Sequence, residues 1–337
     1  MTNQLATENR KPTVWMRNAF RLVVLVIVVA FLAGFVVERI ARWRAASISP
    51  PPGELYLVNG RNMHINCVGS GSPTVILEAG LGVWSSAQWF DVQPVVAEFT
   101  KVCSYDRAGL LWSESSPAPR SAVAMSDELH VLLRAAGVEP PYVLAAHSIG
   151  GVIARMFQSQ HPDEVAGLVL IDASHPDQGE RFGENTSGVP FRQRLRRFLS
   201  EVGVARVILA RDGGPPFIPQ RVVDSVRPHV PQSLAGVNAE MAAAQSITEE
   251  GQGIDASVGS LNMLPVVVFT RSESPTEEIQ ATWLSLQDEL ATLSRNSAHR
   301  VVPNVGHNIH WDDPDTVVAA VRAVVTAVRT GERVTLR

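Results

Sequence analysis

The stretch Val143-Leu144-Ala145-Ala146-His147-Ser148-Ile149-Gly150-Gly151 constrains this chain more than any other. An apolar run with the look of a buried strand ends in small–x–Ser–x–Gly. Val152, Ile153, Met156 and Phe157 then follow at helical spacing. A strand that turns directly into a helix leaves no room for large side chains two residues either side of the turn. Ala146 and Gly150 meet that demand. Such a turn holds the serine hydroxyl out at the carboxyl end of a strand, as a nucleophile must be held. The string alone is short, and a chance serine in a strand-to-helix turn is the alternative.

Length and composition fit one large α/β core with an appendage. The chain has 337 residues, 45% of them apolar, enough to bury a sizeable core. The net charge of -4 hides a split: residues 1–44 are basic and the rest is acidic. A basic leader on an acidic body leaves no cationic face for phosphates, so nucleic acid is not an expected partner. Neither H-E-x-x-H nor clustered Cys/His is present, so no metal and no cofactor is expected.

The leader reads as a membrane element. Leu22 to Val37 is an unbroken apolar run. Its sixteen residues span about 24 Å, short of a hydrocarbon core of about 30 Å. Ala19, Phe20 and Ile40 extend it, with Arg21 and Arg39 snorkelling from its ends. Residues 1–18 are then a basic tail, 19–40 an uncleaved signal-anchor and 41–53 a linker ending in the stiff SISPPPG. A cleaved signal peptide is the alternative, but Glu38, Arg39, Arg42 and Arg44 stand where a small-residue cleavage site belongs. Arg10, Lys11, Arg17 and Arg21 precede the run and three arginines follow it, so charge alone barely orients it. The reading adopted is a single-pass membrane protein with its catalytic domain outside the cytoplasm.

Beyond the linker, strand and helix signals alternate. Leu55–Val58 and Met63–Val68 read as a hairpin around Asn59-Gly60. Further strands are expected at 74–78, 102–105, 142–146, 167–172, 264–269 and 300–303. Helical spacing runs over 122–136, with Ser126 and Asp127 as a cap for its later part. Asp312-Asp313-Pro314 starts a final helix whose apolar face carries Val317, Val318, Val321, Val324, Val325 and Val328. This alternation predicts a mostly parallel sheet with helices on both faces.

From about Leu55 to Val328 the chain resembles the α/β-hydrolase fold family, in its subgroup of single-pass, exported serine hydrolases. Four blocks carry the resemblance in order: Leu77-Glu78-Ala79-Gly80-Leu81-Gly82, Tyr105-Asp106-Arg107-Ala108-Gly109, the elbow at Ser148, and Gly306-His307 before the last helix. The resemblance implies eight strands with the second antiparallel to the others. It divides the chain into a core of residues 54–174 and 264–330 and a helical cap insertion of residues 175–263.

The resemblance also assigns roles. Ser148 is the nucleophile and His307 the base that activates it, with His310 the near competitor. His147 and His175 shape the pocket. The acid that steadies the imidazole is Asp172, at the end of GLVLID, with Glu273 in the loop after the next strand as the alternative. The oxyanion hole uses the backbone N–H groups of Ile149 and Leu81, with Gly80 and Gly82 opening the backbone to substrate. The family often has His-Gly where this chain has Glu78-Ala79-Gly80. Asp106-Arg107-Ala108-Gly109 is read as structural, a charged pair tying loops beneath the elbow. Cys67 and Cys103 fall on strands that are antiparallel neighbours in this fold, which implies a disulfide; two buried free thiols are the alternative.

In the cap, Phe191, Leu195, Phe198, Leu199 and Val202 share one helical face, opposite Arg192, Arg194, Arg196 and Arg197. That face either packs on the site or lies on a membrane surface. The expected function is a serine hydrolase cleaving an apolar ester, lactone or similar small acyl substrate through an acyl-enzyme. The alternatives are a catalytically inactive ligand- or partner-binding module, and a cofactor-free haloperoxidase or C–C hydrolase with the same triad. Serine at the nucleophile position argues against dehalogenase and epoxide-hydrolase chemistry, which use Asp there.

Overall fold

A computed structural model describes residues 14–183, 191–209, 215–254 and 259–336. Residues 1–13, 184–190, 210–214, 255–258 and 337 lie outside the described residues, and so do the side chains of Arg192, Arg196 and Arg197, so most of the expected basic tail and the arginine face expected in the cap are not described. The chain opens with α1 (Val14–Ile48), whose apolar stretch is long enough to cross a membrane. The helix outruns the expected anchor and takes up most of the expected linker. Nothing before the prolines at 50–52 breaks it.

Among the described residues, eight strands form one sheet in the order β1-β2-β4-β3-β5-β6-β7-β8. β1 (Glu54–Val58) and β2 (Arg61–Val68) make the hairpin, with Asn59 and Gly60 both at positive φ. β3 (Thr74–Glu78) leads through a short 3-10 turn to α2 (Val92–Val96) and β4 (Val102–Tyr105). α3 (Ala122–Ala135), β5 (Tyr142–His147), α4 (Gly150–Gln160) and β6 (Val165–Ile171) follow. β2 runs antiparallel to β4, while β4, β3, β5, β6, β7 and β8 are parallel. Cys67 lies opposite Cys103 across the β2–β4 ladder, and the two are joined by a disulfide.

Among the described residues, five helices separate β6 from β7 (Val266–Arg271). They are α5 (Gln178–Arg181), α6 (Phe191–Glu201), α7 (Val204–Leu209), α8 (Gln220–Val226) and α9 (Val230–Gln252). The chain closes with α10 (Glu277–Thr292), β8 (Ser297–Val302), α11 (Ile309–Asp312) and α12 (Pro314–Thr330).

The period of two along each strand divides the core. Ile76, Leu144, Leu168 and Val268 face α3, α4 and α10, packing with Leu129, Phe157 and Leu290. Val75, Val143, Val169 and Val267 face α2 and α12, packing with Val92, Val317, Val321 and Val324. Each such buried valine contributes roughly 1.5–3 kcal/mol. Two caps differ in outcome. α12 starts on Asp313, whose side chain accepts from the Thr316 N–H at 3.1 Å. α3 is capped by Ser121, which accepts from the Ala124 N–H at 3.1 Å, not by Ser126 or Asp127. Ser121 is extended, as a capping residue is, while Ser126 is buried inside the helix.

Candidate active site

The site forms at the carboxyl edge of β5, β6, β7 and β8. Ser148 follows β5 directly and holds φ of 54°, a strained position for a residue with a Cβ. The turn is locked on both sides: the Ser148 N–H donates to Ile171 O at 3.2 Å, and Ser148 O accepts from Ser174 N at 2.8 Å. Its small neighbours have a direct cause. A Cβ on Gly150 would stand 2.7 Å from Ala79 O, and a Cβ on Gly151 would stand 2.5 Å from Ala173 Cβ. One strand away, Asp172 follows β6 at φ 43°.

His307, in the loop after β8, joins these two residues. Its Nε2 lies 2.9 Å from Ser148 Oγ and its Nδ1 lies 2.5 Å from Asp172 Oδ2. The loop is held by the Gly306 N–H, which donates to Asp312 at 3.0 Å. Glu273 has its backbone on Val305 O, and His307 turns to Asp172 instead. His310 is fully buried against Trp89 and His147 and does not reach the serine.

Asp172 is buried and accepts four hydrogen bonds. Besides His307, these come from Arg271 N at 3.0 Å, Arg271 Nη1 at 2.7 Å and Trp283 Nε1 at 2.6 Å. Burial would push its carboxyl up, but the His307 hydrogen bond and the charges of His307 and Arg271 outweigh it, so it stays below the ordinary value. Sequence reading passed over Arg271 and Trp283. The guanidinium stacks 4.4 Å over the Trp283 ring. Neither residue carries a local motif; only the meeting of β7 with α10 brings them to Asp172.

The wall opposite is built from β3. A Cβ on Gly80 would stand 2.5 Å from His147 Nδ1 and 3.2 Å from Ser148 Cβ, so this loop needs glycine to lie against the serine. Leu81, next along the loop, is more than one-third exposed. Ile149 opens α4, where the first N–H groups of a helix lack intrahelical partners. His147 donates from Nε2 to His307 O at 2.9 Å; burial, together with the nearby His310 and His307, drives its basicity well down and keeps it neutral.

Beneath this wall the charged residues of Asp106-Arg107-Ala108-Gly109 part company. Asp106 pairs with buried His64 at 2.8 Å and accepts from Ser86 N at 3.0 Å. Arg107 turns the other way, to Glu78 at 2.6 Å, Glu240 at 2.8 Å, Ala79 O at 2.6 Å and Gly80 O at 3.0 Å. The two are not partners of one another. Arg107 instead ties the β3 loop to helix α9.

Residues 73–314 match the α/β hydrolase fold. The chain belongs to the α/β hydrolase fold family. Among relatives of this α/β hydrolase, the uncharacterized protein YqjL of Bacillus subtilis is 28% identical, covering 79% of this chain and 89% of its own. An uncharacterized protein of Schizosaccharomyces pombe is also 28% identical, over 78% of this chain. The alignment spans only 53% of that longer relative. A probable hydrolytic enzyme from Pseudomonas aeruginosa superposes with a TM-score of 0.61 at 18% identity, over 81% of this chain and 95% of its own.

Two further groups of side chains have metal-ligand character: His130, His161 and Glu164, and His175, Asp177 and Glu289. Each already carries an arginine, Arg134 on Glu164 and Arg181 on Glu289, which supplies the positive charge a cation would bring.

Proposed function

We propose that this α/β hydrolase is a serine hydrolase that cleaves an ester, lactone or related acyl bond through an acyl-enzyme. The reading rests on one observation, the continuous chain of hydrogen-bond distances from Ser148 through His307 to Asp172 at the sheet's carboxyl edge. His307 Nε2 takes the Ser148 proton as Oγ attacks the acyl carbon. The carbonyl oxygen becomes an oxyanion, received by the N–H groups of Ile149 and Leu81. Asp172 balances the imidazolium, which then gives its proton to the departing alkoxide. Water, deprotonated by the same imidazole, attacks the acyl-enzyme and frees Ser148 with the acid product.

The cap, taken as residues 175–263, sets which acyl group fits. In this reading α1 spans the membrane with the catalytic domain on the extracytoplasmic side, where a Cys67–Cys103 bridge persists. A fluorophosphonate probe should label the full chain on Ser148. Ser148→Ala should abolish labelling and lower ester turnover by about 10⁴-fold or more. Unchanged turnover in that variant, or a wild-type chain that takes no probe, would leave the inactive binding module as the better reading.

A further inference from the structure

The anchor and the cap are built as one body. From the second half of its apolar run onward, α1 packs along α6 and α7 instead of hanging free. The Phe31 and Phe198 rings meet edge-on at 5.3 Å. Gly34 backs onto the Val202 carbonyl so closely that a Cβ there would stand 2.4 Å from the oxygen. Glu38, the first charge after the run, is fully buried, and it pairs with Arg42 at 2.8 Å and with Arg206 of α7 at 2.8 Å. Glu201 of α6 takes Arg39 and Arg42. The helix end is tied as well: Ser49 O accepts from Trp112 Nε1 at 3.0 Å and from His229 Nε2 at 2.8 Å.

Against this fixed anchor the cap turns large apolar side chains outward. Phe191 is 76% exposed and Ile208 61%, with Leu195, Phe198 and Val207 beside them. α6 adjoins the apolar surface of α1 at the Phe31–Phe198 contact, and α7 is tied to the end of that surface by Arg206 and Glu38. Phe31 stands seven residues before Glu38, about 10 Å along the helix. That is close to the roughly 5–10 Å by which an interfacial helix sinks into a leaflet. Left in water, the patch would be unfavourable in proportion to its exposed apolar area.

We propose that α6 and α7 are embedded in the bilayer leaflet around the end of α1, so that the cap takes amphiphilic, long-chain acyl substrates from the lipid phase. The occupant of the patch is lipid acyl chain, because the patch adjoins the spanning helix. The cap edge reaches the catalytic loop: the Phe217 ring lies tilted 5.2 Å from that of Trp311, four residues after His307. The proposal rests on α1 spanning the membrane and on the hydrolase reading above.

The two native cysteines are paired, so an introduced thiol takes a label alone. Full-length Val26→Cys, Phe191→Cys, Ile208→Cys and Val301→Cys variants would each carry an NBD fluorophore in phosphatidylcholine–phosphatidylglycerol vesicles, with and without brominated acyl chains. Bromines should quench the probes at 26, 191 and 208 and spare the one at 301, on the far edge strand β8. Quenching at 26 alone overturns the proposal and leaves the anchor intact. A probe at 191 or 208 that is blue-shifted but unquenched marks cover by protein, a second copy included, and also overturns it. No quenching at 26 removes the anchor reading and the proposal with it. Phe191→Ser/Ile208→Ser should slow hydrolysis of a long-chain ester held in vesicles about tenfold and leave a short soluble ester unaffected. Equal loss on both substrates overturns the claim of access from the lipid phase. No turnover of either ester by wild type counts against the hydrolase reading instead.

Discussion

Two arginines flank Ser148, and they are used in opposite ways. Arg107 is 1% exposed, and all five of its N–H donors are taken by Glu78, Glu240, Ala79 O and Gly80 O. Burial pushes the Glu78 carboxyl up against the pull of Arg107 and a hydrogen bond from Tyr105. Arg271 is 14% exposed, touches Asp172 and Ser274, and lies over Trp283. A saturated, dry guanidinium fixes backbone, here the loop that faces the serine. A half-used one at the solvent edge holds a carboxylate that has other donors as well. The first is therefore expected to govern folding, and the second the turnover number.

The widest gap should open at the acid held on the Arg271 side. Asp172→Asn leaves the shape but removes the charge that balances the imidazolium, so kcat should fall by about 10⁴-fold with KM little changed. Glu273→Gln should stay near wild type, because its side chain takes no part in the chain of contacts to His307. Ester kinetics on both variants decide the point. Loss confined to Glu273→Gln would move the acid to the loop after β7 and strip Arg271 of its role.

On the other side, Arg107→Met strands two buried carboxylates. Breaking a buried pair by removing one partner typically costs about 3–5 kcal/mol. The expected outcome is a large fall in the thermal midpoint of the full chain in nanodiscs. Weakening of the α9 contact should accompany it, read as faster hydrogen exchange around Glu240. A variant that melts like wild type but turns over slowly would erase the contrast and make Arg107 a positioning residue for the oxyanion loop.

Legibility followed the range over which each feature is encoded. The elbow is local: a strand, a serine and two small residues within nine positions, and the close contacts a Cβ would make at Gly150 and Gly151 show why glycine stands at those two. The central strands were equally readable, since each is a short run buried at every residue and bounded by turns, whereas the last, expected at 300–303, lies at Ser297–Val302 and is mostly half-exposed. The choice between Asp172 and Glu273 was not decidable locally. It depends on a positive φ at the end of β6 and on how β7 and α10 meet it. Asp106 and Arg107 are expected to be structural, a charged pair tying loops beneath the elbow, but sequence does not say which loops. Adjacent residues in an extended segment point apart, and each found a partner on another element. Glu38 was noted as a flank to an apolar run; its partner Arg206 is 168 positions away.

Neutral imidazoles, unlike either arginine, make the site sensitive to acid. Burial pushes His310 down to about 3, aided by the charge of His307. Between that value and about 6.5 the unfolded chain binds a proton that the folded chain refuses, so stability rises with pH and is lost as pH falls. One such group contributes about 1.4 kcal/mol per pH unit in that window. Denaturant unfolding at pH 7, 6 and 5 should show His310→Gln losing stability less steeply than wild type by about one proton. Equal slopes would mean that His310 takes up its proton in the folded state and that the wall behind His307 is wetter than the packing against Trp89 implies.

The smallest effect should come from Arg271. With its guanidinium removed, Asp172 keeps the Arg271 main-chain N–H, Trp283 Nε1 and His307. One charge-assisted hydrogen bond of several is lost, and the indole loses its stacked partner. Arg271→Met should therefore lower kcat about tenfold with KM unchanged, the equivalent of about 1.4 kcal/mol, and leave the thermal midpoint nearly untouched. Arg271→Lys should recover part of the loss, since it restores the charge but not the fork over the indole. Removing the cation also removes an electrostatic pull that holds the Asp172 carboxyl low, so its proton should return at higher pH than in wild type. The acid limb of the kcat profile should move upward accordingly, since activity needs that carboxylate ionised. A fall in stability as large as that of Arg107→Met would show that the two arginines do the same work after all.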